Sequence, residues 1–251
     1  MSYFQDPELA KHLATAEVII FDMNGLIVDD EPIQLQAVNE VLFPHGIQLS
    51  SQQWINQCVG RRPLEYFQEM LTGENWTTAK LQALCDDKEL AYEKLIQAHV
   101  KALVRPGFLD FFNDLVKSPH HQIALATSTA RQGMETILGK KGLNLMTKFD
   151  FMICGDEVSR AKPDPEIYLK ARDAFPTKKH FLVFEDSAFG VQSAVASGCQ
   201  CIAVPNDFTK NQDLSLATRR ITNFRSNTNW EVNVLKLSCI YHDSRSANQN
   251  P

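Results

Sequence analysis

From residue 106 onward, short apolar runs bounded by turns alternate with longer segments of helical periodicity. The runs at 122–126, 151–154, 180–184 and 200–204 read as strands. The segments at 107–117, 130–141, 165–175 and 188–197 read as helices. Continuous apolar runs without polar alternation are what strands covered on both faces require, and their alternation with helices predicts a parallel sheet. Residues 18–22 share this character and belong to the same sheet. The expected fold class is therefore α/β, a Rossmann-like parallel sheet with helices on both faces.

Residues 33–102 follow another rule. They contain almost no β-branched runs, and Ser50-Ser51 and Thr77-Thr78 are helix starts by their hydroxyls. After Thr78, the residues Leu81, Leu84, Ala91, Tyr92, Leu95, Ile96 and Val100 fall mostly on one helical face. Arg105-Pro106-Gly107 then returns the chain to the sheet. The predicted organisation is a core made of 1–32 and 103–225, with an all-helical cap, 33–102, inserted between its first two strands. A C-terminal extension, 226–251, ends in a polar stretch expected to be disordered.

Composition narrows the class without naming a function. Apolar residues make up 44% and charged residues 22%, which suits a globular protein. A net charge of −5 argues against non-specific binding to nucleic acid or acidic membrane. No apolar stretch approaches the roughly 20 residues that span a bilayer, and the N-terminal segment does not read as a secretory signal. The six cysteines form no CxxC pair. Reduced thiols and a cytoplasmic setting are expected, with a monomer or weak dimer.

Four loci lie at or beyond predicted strand ends: Asp22-Met23-Asn24-Gly25, Thr127-Ser128, Lys162, and Glu185-Asp186. Each alone has an ordinary use, as turn former, helix cap or solvated charge. Parallel strands align their ends along one edge, where open α/β sheets bind ligands, so the four converge on one crevice. Their chemistry is complementary. Carboxylates suit a divalent cation, and hard oxygen ligands that leave room for water suit Mg²⁺. A hydroxyl and an ammonium suit an anion. Asp22 is placed to act as a nucleophile towards phosphorus through an aspartyl-phosphate, with lysine and metal stabilising the transferring group.

The ordered set DMNG, ATS, AKPDP and FEDSAFGVQSAVASG resembles the motifs of the haloacid-dehalogenase-like hydrolase superfamily, in the branch of β-phosphoglucomutase and sugar-phosphate phosphatases. The likeness runs from about residue 16 to 205 and includes the cap insertion. It implies Asp22 as nucleophile and metal ligand, and Asn24 at the general acid/base position with its main-chain carbonyl as a second metal ligand. Thr127 and Ser128 would meet the phosphate, Lys162 would pair with phosphate and Asp22, and Glu185 and Asp186 would complete the metal site. Arg61 and Arg62 match the cap loop that reaches the substrate. The implied activity is Mg²⁺-dependent hydrolysis of a small sugar phosphate or related phosphorylated metabolite. A β-phosphoglucomutase-like mutase and a non-catalytic phosphometabolite-binding protein are the alternatives.

Two departures matter. The family carries aspartate where this chain has Asn24, and an amide cannot give or take the proton. Loss of general acid–base catalysis costs about 10²- to 10⁴-fold, so the site as written is expected to bind but turn over slowly or not at all. An engineered trap, a natural slow enzyme or pseudoenzyme, and a sequence error all fit. The mutases also have a histidine where this chain has Gln34, which cannot relay a proton. That favours phosphatase over mutase.

Overall fold

A computed structural model of the chain describes residues 7–73 and 75–224. The extension expected over 226–251, with Cys239, lies outside the described residues. The chain opens with α1 (Pro7–Thr15) and β1 (Val18–Phe21). Four helices follow: α2 (Glu31–Leu42), α3 (Ser51–Gln57), α4 (Pro63–Met70) and α5 (Thr78–His99). The chain then alternates through α6 (Phe108–Lys117), β2 (Gln122–Ala126), α7 (Arg131–Leu138) and β3 (Phe151–Ile153). It continues with α8 (Glu166–Asp173), β4 (Phe181–Glu185), α9 (Ala188–Ala196), β5 (Gln200–Ala203) and a two-residue β6 (Arg219–Arg220).

The six strands form one parallel sheet in the order β3-β2-β1-β4-β5-β6. β1 is central, with Ile20 in register with Ala124 on one side and Val183 on the other. Side chains alternate between the two faces. Ile19, Phe21, Leu125 and Phe184 pack with α1, α6 and α7, whereas Val18, Ile20, Ala124 and Val183 pack with α8 and α9. Phe21 stacks on Phe184 at 5.3 Å and meets Phe108, Phe111 and Phe112 edge-on. Cys199 and Cys201 share the α8/α9 face, and all five cysteines among the described residues are buried free thiols.

The helices inserted between β1 and β2 begin as their sequence directs. Ser50 and Gln53 form a reciprocal capping box for α3, and the Thr77 hydroxyl accepts from Lys80 N at the start of α5. Val38, Trp54, Phe67, Leu81 and Leu84 build a separate apolar cluster for this insertion. Tyr92, Ile96 and Val100, at the far end of α5, instead join the cluster on the sheet. The two crossings between core and cap lie side by side: Asp29 N donates to Leu103 O, and Arg105 N to Ile27 O.

Three elements differ from the sequence reading, one of them the two-residue β6, which lies outside the five strands expected. α1 was not anticipated, although Leu9 and Leu13, one turn apart, are its buried face. α7 ends at Leu138 instead of 141, because Gly139 leaves the helix in an extended conformation, with ψ 179°. No helix among the described residues is long and apolar enough to cross a membrane.

Candidate active site

β1 delivers Asp22 to the edge of the sheet, where the chain turns at Gly25. Gly25 has φ +74°, and a Cβ there would fall 2.3 Å from Asp186 Oδ2. Only glycine lets the first and fourth loci approach so closely. Lys162, from the loop before α8, donates to Asp22 Oδ1 and to Glu185 Oε1, each at 2.6 Å, and to Ala126 O at 3.2 Å. Tyr168 adds its hydroxyl to Glu185 Oε1 at 2.8 Å. The four predicted loci do converge, over separations in sequence as large as 163 residues between Asp22 and Glu185.

Glu185 owes its position to α9. A Cβ at Gly190 would overlap its carboxylate, at 1.8 Å from Oε1. Its Oε2 accepts from the main-chain N–H of Asp186 and Ser187 at the positive end of that helix. With Oε1 taken by Lys162 and Tyr168, Glu185 is largely committed within the protein. Asp186 receives the Asn206 amide at its Oδ2, at 2.9 Å.

One oxygen each of Asp22, Glu185 and Asp186 lies within 4.8 Å of the others. Burial raises the Asp22 carboxyl to about 7 against the pull of Lys162, and raises Asp186 well above the usual range, with Glu185 adding to both. Burial alone would lower Lys162, yet Asp22 and Glu185 outweigh it and keep the ammonium charged. Three carboxyl groups thus cluster where one ammonium pairs with two of them. An all-oxygen donor set with surplus negative charge fits a hard divalent cation such as Mg²⁺.

Asn24 is held at both ends of its amide. Nδ2 donates to Asp30 Oδ2 at 2.6 Å, while Oδ1 accepts from the hydroxyl of Thr129 at 2.6 Å and that of Thr127 at 3.4 Å. Asp30 is fully buried and also accepts from Tyr92 at 2.5 Å and Gln34 at 3.1 Å. Thr127 is fully buried too, and its hydroxyl additionally accepts from Thr129 N. Ser128 and Thr129, not Thr127, line the open cavity.

That cavity, about 480 Å³, lies between the sheet edge and the cap. Arg61 and Arg62 both reach its wall, with different partners. Arg61 is clamped by Glu69, at 2.5 and 2.8 Å, with Glu65 at 3.8 Å. Arg62 crosses to the core, donating to Gly155 O at 3.3 Å and Val158 O at 3.4 Å.

Tyr168, Asn206, Thr129, Asp30, Tyr92 and the buried Lys88 were not anticipated as site residues. Asp30 lies six residues after Asn24, and their contact has no local signature in the sequence. Lys88 is spaced with Leu81, Leu84, Tyr92 and Ile96 on α5, so its burial was legible from periodicity alone.

The chain belongs to the haloacid dehalogenase-like hydrolase family, whose model matches residues 19–204. It is 31% identical over 192 residues to a phosphorylated carbohydrates phosphatase of Thermotoga maritima, covering 74% of this chain and 83% of the relative. CbbY from Rhodobacter sphaeroides, solved as an aspartate-to-asparagine mutant in complex with xylulose-1,5-bisphosphate, superposes with a TM-score of 0.72 at 22% identity. The match covers 84% of this chain and 95% of that one. The β-phosphoglucomutase of Clostridium difficile superposes with a TM-score of 0.73 at 19% identity, over 89% and 99% of the two chains. The fold is the one these proteins share, with the helical cap between β1 and β2.

Proposed function

We propose that this chain is a Mg²⁺-dependent phosphomonoester hydrolase acting on a small sugar phosphate or related metabolite, with turnover slowed by Asn24. The observation that carries this reading is Lys162 between Asp22 and Glu185, 2.6 Å from each, beside Asp186. The Thermotoga relative, named for phosphorylated carbohydrates, supports the substrate class.

In this reading the Asp22 carboxylate attacks phosphorus, and the bond from phosphorus to the ester oxygen breaks as the aspartyl-phosphate forms. Lys162 neutralises Asp22 before attack and the phosphoryl oxygens during it. Ser128 and Thr129 offer hydroxyls from the cavity wall. Mg²⁺, held by Asp22, Asp186, Glu185 and the Asn24 main-chain carbonyl, would supply positive charge to the phosphoryl oxygens. Water then attacks the same phosphorus, releasing phosphate and restoring Asp22. The departing oxygen needs a proton, and the attacking water must lose one. Asn24 occupies the acid/base position and can do neither, so both steps draw on solvent. Gln34, which accepts from Lys88 at 2.5 Å and donates to Asp30, relays no proton for a mutase reaction.

The test compares this chain with Asn24→Asp on a panel of phosphate monoesters with Mg²⁺. Gain of turnover by about 10² or more in the variant, abolished by a further Asp22→Asn, supports the reading. No turnover in either form, with Mg²⁺ bound and the fold intact, favours a phosphometabolite-binding protein instead.

A further inference from the structure

The apolar cluster of the cap is built from the inserted helices and their loops, with one exception. Phe208, from the loop after β5, packs on it, the one apolar residue from outside 33–102 to do so among the described residues. This loop therefore meets the cap at its tip. At its base it is tied to the crossing between core and cap. The buried Arg105 guanidinium donates to Pro205 O at 2.9 Å and to Val204 O at 3.4 Å, while Arg105 N donates to Ile27 O in the other crossing.

Between base and tip stands Asn206, 4% exposed, with both ends of its amide in use. Its Oδ1 accepts from the main-chain N–H of Phe208 at 2.7 Å and of Thr209 at 3.0 Å. Its Nδ2 donates to Asp186 Oδ2 at 2.9 Å and to Gly25 O at 3.3 Å. The amide is planar, with acceptor and donors on opposite ends, so fixing Oδ1 fixes the direction of Nδ2. The backbone of Phe208 thus aims the donor that orients Asp186. It also steadies Gly25, in the turn that carries Asp22 and Asn24. Asp186 is the acid of the trio that Lys162 leaves unpaired, since Asp22 and Glu185 hold the ammonium between them. A partner that orients a ligating carboxylate ordinarily controls metal affinity.

We propose that Asn206 and Phe208 are positioning residues that tie the seating of the cap to the cation site. With Phe208 in the cap cluster, the Asp186 carboxylate is held ready for Mg²⁺; with the cap lifted away, that hold is lost. This rests on the phosphatase reading, which supplies the cation, and adds a coupling between cap closure and metal affinity. Coupling is reciprocal, so Mg²⁺ in turn favours the seated cap.

The test is calorimetric titration of Mg²⁺ into the parent chain and its variants, each below its melting temperature. Asn206→Leu should weaken Mg²⁺ binding by about tenfold or more. Phe208→Ala should weaken it by about fivefold or more, and Phe208→Leu, which keeps an apolar contact, should recover most of that loss. Met70→Ala trims another partly buried side chain on the same cluster but outside the loop, and should bind Mg²⁺ as the parent chain does. An equal loss in Met70→Ala would assign the effect to loosened packing of the cap and overturn the inference. Parent-like affinity in Phe208→Ala overturns it too, and leaves the phosphatase reading standing. If the parent chain itself binds no Mg²⁺, both fall. Hydrogen exchange on the parent chain decides the matter if Phe208→Ala does not fold: Mg²⁺ should slow exchange in α3 and α4 as well as in 204–209. Protection confined to the sheet edge would contradict the coupling.

Discussion

Asn24 donates its amide to Asp30 at 2.6 Å, and this contact gives the chain an interest in keeping an amide at position 24. Asp30 is fully buried, and an aspartate at 24 would bring a second carboxyl against it. Asn24→Asp should therefore lower stability by about 1–3 kcal/mol while it raises turnover. Adding Asp30→Asn should recover much of that loss, because the new amide can donate to the new carboxylate. Urea denaturation of the two single variants and the double measures the interaction directly. Strict additivity would show that the two side chains do not act together.

Lys162 stands between two buried acids, so its removal leaves both without their ammonium. Lys162→Met, close in length and apolar, is expected to cost about 3–5 kcal/mol, the usual penalty for breaking a buried ion pair from one side. A loss below about 1 kcal/mol in denaturant titrations would mean that water already screens this trio.

Stability should fall as pH rises through neutrality in metal-free buffer. Burial lifts the Glu31 carboxyl from an ordinary 4.5 in the unfolded chain to about 8 in the folded one, and Asp22 from 3.8 to about 7. The folded state therefore holds protons that the unfolded chain releases. Their contribution is fully present below the unfolded values and is lost as pH climbs through the folded ones. Glu31→Gln keeps an acceptor for Trp54 and removes the titration, so its stability profile between pH 4.5 and 8 should be flatter. A variant profile parallel to that of the parent chain would contradict the folded-state titration of Glu31.

If the proposed site is correct, Mg²⁺ should raise the melting temperature, because the acidic trio that would hold it is assembled only in the folded state. The rise grows with the logarithm of Mg²⁺ concentration above the dissociation constant, and EDTA reverses it. Asp186→Asn should lose most of the shift, since Glu185 is already engaged by Lys162 and Tyr168. An equal shift in this variant would move the cation away from Asp186.

Much of the site was legible because its members sit where local patterns change. Asp22 follows an all-apolar strand, and Glu185 ends another and is followed by Asp186 and a small-residue helix. Lys162 lies in AKPDP, a segment recognisable by its likeness to the family. The resemblance also assigned Thr127 to phosphate; in this structure its hydroxyl donates to Asn24 Oδ1 and accepts from Thr129 N. A backbone detail of one turn decides which of three adjacent hydroxyl residues faces the cavity. Arg61 and Arg62 were indistinguishable as neighbours in sequence. Their partners separate them: Glu69, eight residues on, grips Arg61, whereas Arg62 reaches Gly155 and Val158 across the cavity.

By itself the amino-acid sequence determined the α/β class, the helical insertion and the order of the four loci. Hydrophobic period and turn chemistry are short-range signals that survive without a folded chain. It also placed an amide at position 24. Tertiary structure decided what surrounds that amide: Asp30 six residues on, Tyr92 from the cap and Thr129 from beyond β2. It also decided which cations stay available in the cavity and which are taken. Those outcomes depend on distances between residues far apart in the chain, and packing of the cap on the sheet sets such distances.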